Sequence, residues 1–225
     1  MVVLKKHPVL LPHWALLFLF SFMLTFPFAS LGKDIVRYSS SITKPDPKEA
    51  YFTDLLTLAL EVTTAEYGGY EIQGVPLEMG QKRSAIMIKN NKLINLTWRM
   101  TSKKAEQELK AIYVPILRGA MGYRIFIIRK DGQDLFPKNI PLEQLQKLHL
   151  GQGYEWQDNN ILSHNQFTLV EGAPMNLLAM LAKKRFDYFP RALHEVWTEM
   201  EDIGNEFSVE KNLLLKYTAP VYFFI

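Results

Sequence analysis

Apolar and polar positions along this chain fall into blocks whose repeat switches between about two and about 3.6 residues, the periods of strands and helices. Ile35-Val36-Arg37-Tyr38 predicts a first strand, followed by the polar run Ser39-Ser40-Ser41. Asp46-Pro47-Lys48-Glu49 reads as a helix start: Asp46 suits the cap, Pro47 the first helical position, and Glu49 completes a capping box. Leu55, Leu56, Leu58, Ala59 and Val62 supply the expected buried face of that helix, and Tyr67-Gly68-Gly69 ends it. Tyr70 to Val75 predicts a second strand, Gln81 to Lys89 a helix, and Leu93 to Trp98 a third strand. This β-α-β-α-β order implies a mostly parallel sheet covered by helices.

The pattern then restarts. Tyr123 to Arg129 is the most strand-like run in the chain, and Asp131-Gly132-Gln133 is a turn. Leu142 to Leu148 predicts a short helix, His149 to Gly153 a strand entering a glycine loop, and Tyr154 to Leu162 a helix. Phe167 to Val170 predicts a strand, Pro174 to Lys183 a helix, and Arg185 to Phe189 a strand. A tight loop at Pro190-Arg191 leads to an amphipathic helix with Leu193, Val196, Trp197 and Met200 on its apolar face. Glu195, Glu199 and Glu201 lie between them, Glu195 and Glu199 toward solvent. The chain carries no sequence repeat, yet it divides into two α/β lobes: residues 33–128, residues 129–220, and a return strand toward the first lobe beginning at residues 221–225. A cleft between two lobes is a favoured place for a small-molecule site.

The N-terminus adds a compartment. Lys5 and Lys6 precede an apolar run from Trp14 to Phe26, which Pro27 breaks and Ala29, Ser30 and Gly32 follow. This is the layout of a secretory signal peptide over residues 1–32, with cleavage before Lys33 or after Ala29. An uncleaved inner-membrane anchor is the alternative, because the run is close to the length of a bilayer span. The remainder fits export to the periplasm. With 225 residues, 48% of them hydrophobic, the chain can bury a real core. A formal charge of +3 with no basic block excludes the footprint of a nucleic-acid binder. The absence of cysteine excludes disulfides, thiol catalysis and cysteine-ligated zinc.

Candidate chemistry is sparse. His149, His164 and His194 do not pair at metal-ligand spacing, so no metal is expected. Ser39, Ser40 and Ser41 lack a nucleophile-elbow setting, and Glu195 with Glu199 is a weak acid–base pair. Gly151-Gln152-Gly153-Tyr154-Glu155-Trp156 lacks the third glycine of a dinucleotide fingerprint, so no cofactor is expected; its backbone N–H groups can serve a ligand instead. Trp98, Arg99, Trp156 and Arg191 all fall at or just past predicted strand ends, where open α/β sheets bind ligands. Aromatic faces and guanidinium forks suit a polar organic ligand bearing a carboxylate or an amide. The plain alternatives are core packing for each tryptophan and a surface position for Arg191. Ser39, Arg118, Arg124 and Gly153 complete the candidate ligand-binding set.

A family resemblance follows from several stretches. Thr101-Ser102 with Glu106-Gln107-Glu108-Leu109, Val114 through Arg124, the Gly151–Trp156 loop, Arg185 through Arg191, and Leu215 through Phe224 together resemble the solute-binding proteins of family 3. These are periplasmic amino-acid-binding-like proteins of ABC uptake systems. The resemblance covers Ile35 to the end and implies a type II periplasmic binding fold: two lobes, mostly parallel sheets, flanking helices. It implies a non-enzymatic, monomeric protein that captures a small polar organic ligand and partners the membrane subunits of an ABC transporter. An exported enzyme or a sensory domain on the same fold are the alternatives. Two departures stand out. Ala105 occupies the position of the family's carboxylate-clamping arginine, and no aspartate follows Phe186-Asp187-Tyr188 to hold an amino group, which argues against a plain α-amino acid. Family members also continue past the Tyr222-Phe223-Phe224 strand, so the C-terminal return segment is expected to be missing.

Overall fold

The computed structural model describes residues 32–42, 47–77, 79–202 and 205–225. Residues 1–31 of the expected signal segment and the Asp46 cap lie outside these residues. The first part of the chain forms strand β1 (Asp34–Ser40), helix α1 (Pro47–Tyr67), β2 (Tyr70–Pro76), α2 (Gln81–Lys89), β3 (Thr97–Met100), α3 (Lys103–Glu108) and β4 (Ala111–Ile112). The second part forms β5 (Tyr123–Arg129), α4 (Leu142–Lys147), β6 (His149–Gly153), α5 (Asp158–His164), β7 (Thr168–Gly172), α6 (Leu177–Ala182), β8 (Tyr188–Ala192), α7 (Val196–Asp202), β9 (Phe207–Val209) and β10 (Leu215–Lys216). The last strand, β11 (Val221–Phe224), returns to the first lobe.

In the first lobe β1 and β2 run parallel, while β11 lies antiparallel between β3 and β4. Asn95 ties the two groups together. Its Oδ1 accepts from the Arg37 N–H at 2.6 Å and its Nδ2 donates to the Ile35 carbonyl at 2.7 Å. The second lobe is one sheet in the order β10-β5-β8-β6-β7, with β9 also on β5. Apolar runs buried on both faces explain both layers. In β5, Phe126 and Ile128 enter one core with Leu150 and Tyr188, while Ile127 enters another with Leu181 and Phe189. In β11, Val221 and Phe223 pack with Phe52 and Leu56, and Phe224 packs with Ile88 and Ile94 on the opposite face. The molecule thus has the two-lobed α/β architecture, sheets flanked by helices, that the resemblance implies, but the sheets are mixed and not mostly parallel, because β5 and β11 each pair antiparallel with all their neighbours.

Several expectations are corrected by the pairing. Tyr123–Arg129, all but its last residue falling above within residues 33–128, is hydrogen-bonded to β8, β9 and β10, so the division between sheets falls before Tyr123 and not after residue 128. The third strand begins at Thr97 and not at Leu93, because Leu93 adopts a left-handed backbone (φ 57°) that breaks an extended run. The strand expected at Arg185–Phe189 lies at Tyr188–Ala192, with Pro190 carried inside it opposite Phe126. The buried side of α1 is Phe52 and Leu56, one turn apart, whereas Leu58 and Val62 are exposed. Leu55 and Leu60 pack against the same core, so the buried stripe runs through Phe52, Leu56 and Leu60, and Leu58, Ala59 and Val62 lie on the solvent side. Leu193 and Trp197, expected inside, are also exposed, and Val196 alone of that set is fully buried.

Candidate functional site

Two chain crossings join the lobes, one before β5 and one between β10 and β11. They touch where the Tyr217 N–H donates to the Gly122 carbonyl at 3.1 Å. Beside this junction lies a cavity of about 330 Å³, at the small end of the range for ligand pockets. Phe52, Trp98, Met100, Leu117, Met121 and Val221 give it an apolar wall from the first lobe and the crossings. Arg124, Trp156, Asp158, Arg191, His194 and Glu195 form the second-lobe wall, and Glu49, Gln81, Arg99 and Gln157 complete it.

The second-lobe wall is a chain of alternating charge. Arg191 donates to Glu199 through both Nε (2.8 Å) and Nη2 (2.6 Å), a fork-to-fork pair, and its Nη2 also reaches Glu195 at 3.1 Å. Glu195 Oε2 accepts in addition from the Ala192 N–H at 3.0 Å and lies 3.7 Å from Arg124 Nη1. Arg124, 1% exposed, donates from Nη2 to Asp158 at 2.7 Å. Arg124 sits opposite Ala192 and Arg191 opposite Ile125, so the two arginines leave opposite faces of adjoining strands, and Glu195, just past the end of β8, is what reaches both. Burial alone would raise the Glu195 carboxyl, but the Arg191 and Arg124 guanidinium groups outweigh it and hold it below its usual range. Burial would likewise lower Arg191; its carboxylate partners more than reverse this and raise it. Asp158 goes the other way: burial raises its carboxyl, and Arg124 offsets this only in part.

Trp156 owes its position to Gly153. The Trp156 N–H donates to the Gly153 carbonyl at 3.3 Å, folding the indole back over the glycine, where a Cβ would enter the ring. The indole stacks on Phe189 with centroids 6.2 Å apart, and the Arg191 guanidinium covers both rings at 4.9 Å. Across the cavity, Trp98 stacks on Phe52 at 5.1 Å.

The structure therefore places Trp98, Arg99, Arg124, Trp156 and Arg191 around one cavity. It places the other three candidates differently. Arg118 is exposed on a turn with a left-handed φ of 46° and does not line this cavity. The Ser39 hydroxyl donates to the Leu77 carbonyl, which occupies its donor. Gly153 makes room for Trp156 and is not part of the cavity wall. The roles of the arginines also change. Arg191 lies inside β8 and is committed to Glu195 and Glu199, and those two glutamates, read as solvent-facing, are mostly buried. Asp158 escaped the sequence reading; an aspartate opening a helix after a glycine loop was its one signal. Ser102, within the Thr101-Ser102 motif, caps α3 by accepting from the Ala105 N–H at 3.1 Å, and Ala105 is buried.

Arg99 stands apart from the other two arginines. It is 8% exposed, and its Nη1 donates to the Gln81 carbonyl at 3.2 Å. Its guanidinium lies over Phe224 at 5.4 Å. Among the described residues no carboxylate comes within ion-pair distance of it, and its buried Nε–H has no acceptor. Burial accordingly lowers its pKa, with Glu108 compensating only partly.

A second contact bridges the lobes beside the cavity. Glu155, held at a left-handed φ of 65°, pairs with Lys82 Nζ at 3.1 Å at the start of α2. Gln157 Nε2 donates to Gln81 Oε1 at 3.2 Å. A partly exposed pair of this kind contributes about 0–1 kcal/mol, enough to move a two-state lobe equilibrium by up to about fivefold. Glu155→Gln will therefore enlarge the radius of gyration of the ligand-free protein in small-angle scattering while hardly changing its melting temperature. An unchanged radius would show that this pair does not hold the lobes.

Among the described residues no cluster of histidine, aspartate and glutamate could hold a metal, and no helix is long and apolar enough to cross a membrane.

No family model matches the chain, and no curated protein is significantly similar to it in sequence. Solved structures do resemble it. An arginine-bound Gly52Ala mutant of ArgBP from T. maritima superposes with a TM-score of 0.58 at 12% identity, covering 85% of this chain and 87% of that one. The probable amino-acid ABC transporter extracellular-binding protein ytmK from Bacillus subtilis gives 0.57 at 14% identity, with 86% and 84% covered. A histidine kinase sensor domain with similarity to periplasmic binding proteins gives 0.59 at 14% identity, with 86% and 82% covered. The chain thus carries the two-lobed fold of these binding-protein and sensor-domain structures, with its own cavity open beside the two crossings.

Proposed function

We propose that the chain is an exported, non-enzymatic solute-binding protein that captures a small polar organic ligand between its lobes for ABC-type uptake. The observation that carries this reading is the cavity beside the two crossings, apolar and aromatic on the first-lobe side and charged on the second. Closure of lobes about a hinge is a recurrent way of enclosing such a ligand. Binding fits the wall, because Asp158 and Glu195 are engaged in ion pairs with arginines. The apolar N-terminal run and the likeness to an ABC extracellular-binding protein support export and transport. A sensory role is the second reading, favoured by the likeness to a histidine kinase sensor domain. The test is a screen of polar metabolites against the protein, read by tryptophan fluorescence and thermal shift. Trp98 and Trp156 line opposite walls, so a ligand will change the emission and raise the melting temperature. Absence of any response across a broad panel would sink the binding reading. A ligand-dependent response from a protein found only in membranes, with its N-terminus intact, would favour the sensor.

A further inference from the structure

Resting on that binding reading, we propose that the cleft takes an organic carboxylate on an apolar body, and that Arg99 receives the carboxylate. Three guanidinium groups line the cavity, and they are not equivalent. Arg124 is paired with Asp158 and Glu195, and Arg191 with Glu195 and Glu199. A ligand anion approaching either of them meets carboxylates already in place and gains little.

Arg99 is the exception. It is more than nine-tenths buried, lacks a carboxylate partner among the described residues, and keeps an unpartnered Nε–H. Besides this cavity it lines the adjoining hollow beside Lys82 and Lys104 and the one beside Ser39, so it stands where three openings meet. A buried cation without a counter-charge is costly. An anion delivered by the ligand removes that cost, and the guanidinium fork matches the plane of a carboxylate. Next to Arg99, Trp98, Met100 and Val221 present apolar surface, which suits a hydrocarbon or aromatic body behind the anion.

The position differs from the one left empty by Ala105. Arg99 reaches the cavity from strand β3, whereas Ala105 is buried in the first turn of α3. Arg99 also shares Gln81 with the second lobe: its Nη1 holds the Gln81 carbonyl, and Gln157 holds the Gln81 side chain. The anion site is thereby one residue removed from a contact between lobes.

The experiment compares benzoate, phenylacetate, indole-3-acetate and hexanoate with their neutral amides and with benzylamine and hexylamine. Each is titrated into the purified full chain, followed by tryptophan fluorescence, for wild type, Arg99→Gln, Arg99→Lys and the exposed control Arg118→Gln. In wild type at least one carboxylate will bind about tenfold or more tightly than its amide. Arg99→Gln will erase that preference, Arg99→Lys will keep part of it, and Arg118→Gln will keep all of it. Amides or amines that bind as well as the carboxylates overturn the proposal while leaving the cleft a binding site, as does a carboxylate preference that survives Arg99→Gln. If the whole set is silent while other polar metabolites bind, the carboxylate assignment falls alone. Silence of every compound tried sinks the binding reading with it. Should Arg99→Gln fail to fold, the comparison of acid with amide in wild type still decides.

Discussion

Replacing Arg191 by methionine will destabilise the protein by about 3–5 kcal/mol, the usual cost of removing one partner from a buried ion pair. Methionine keeps an apolar stem beside Trp156 and Phe189, so the loss comes mainly from charge. Glu195 and Glu199, whose side chains are 13% and 16% exposed, lose the guanidinium that both of them share, while Arg124 stays 3.7 Å from Glu195. The stacking of the guanidinium over two aromatic rings is lost as well. For a chain of this size each kcal/mol lowers the melting temperature by about 2–4 °C, so the drop will be roughly 6–20 °C. The acid limb of the stability profile will change too. Glu195 titrates below its usual value in the fold, so its contribution is complete above pH 4.5 and is lost as pH falls through the lowered value. Without Arg191 much of that depression goes, and the variant will lose less stability on acidification than wild type. Thermal melts from pH 3 to pH 7 check both statements. A variant that melts like wild type and fails only in ligand binding would return Arg191 to the role of a ligand contact.

Gly122→Ala will be the second severe substitution. A Cβ at Gly122 would overlap the Tyr217 carbonyl oxygen, which is backbone and cannot rotate away. The two residues belong to different crossings, already joined by the 3.1 Å hydrogen bond from the Tyr217 N–H to the Gly122 carbonyl. One added methyl group therefore forces the crossings apart. Overpacking of this kind costs about 1–3 kcal/mol and sometimes more. The strain falls on the junction between lobes, so the variant will also open more readily, seen as a larger radius of gyration at temperatures below its melt. Gly69→Ala is the matched control. A Cβ there meets only a Lys33 side-chain carbon at 4.0 Å, and its effect should stay within about 0.5 kcal/mol. Equal melts for Gly122→Ala and Gly69→Ala would show that the crossings can separate without cost.

Both effects arise at places where periodicity says little. The helix at Gln81–Lys89 and the strand at Tyr123–Arg129 were legible to the residue, because their repeats are local and their ends carry breakers. The strand at Tyr188–Ala192 was read three residues early, since Pro190 looks like a stop. The β5–β8 register carries it instead. Glu195 and Glu199 were read as solvent-facing because glutamates one turn apart usually are. The helix that bears Glu199 instead turns that side toward Arg191, and its Trp197 to water.

Most of the element order, the two α/β lobes, the return strand and the tryptophans and arginines around the cleft were determined by the sequence itself, whereas the short elements α3, β4, β9 and β10 were not. Alternation and helical repeats act over a few residues and survive without knowledge of partners. Which arginines meet a carboxylate among the described residues was decided only by the tertiary structure. Arg124 meets Asp158 across 34 positions of sequence, and Arg191 and Arg124 share Glu195 only because β5 and β8 are neighbours. Charge pairing is a matter of distance in space and of desolvation, and neither quantity is written in the local pattern.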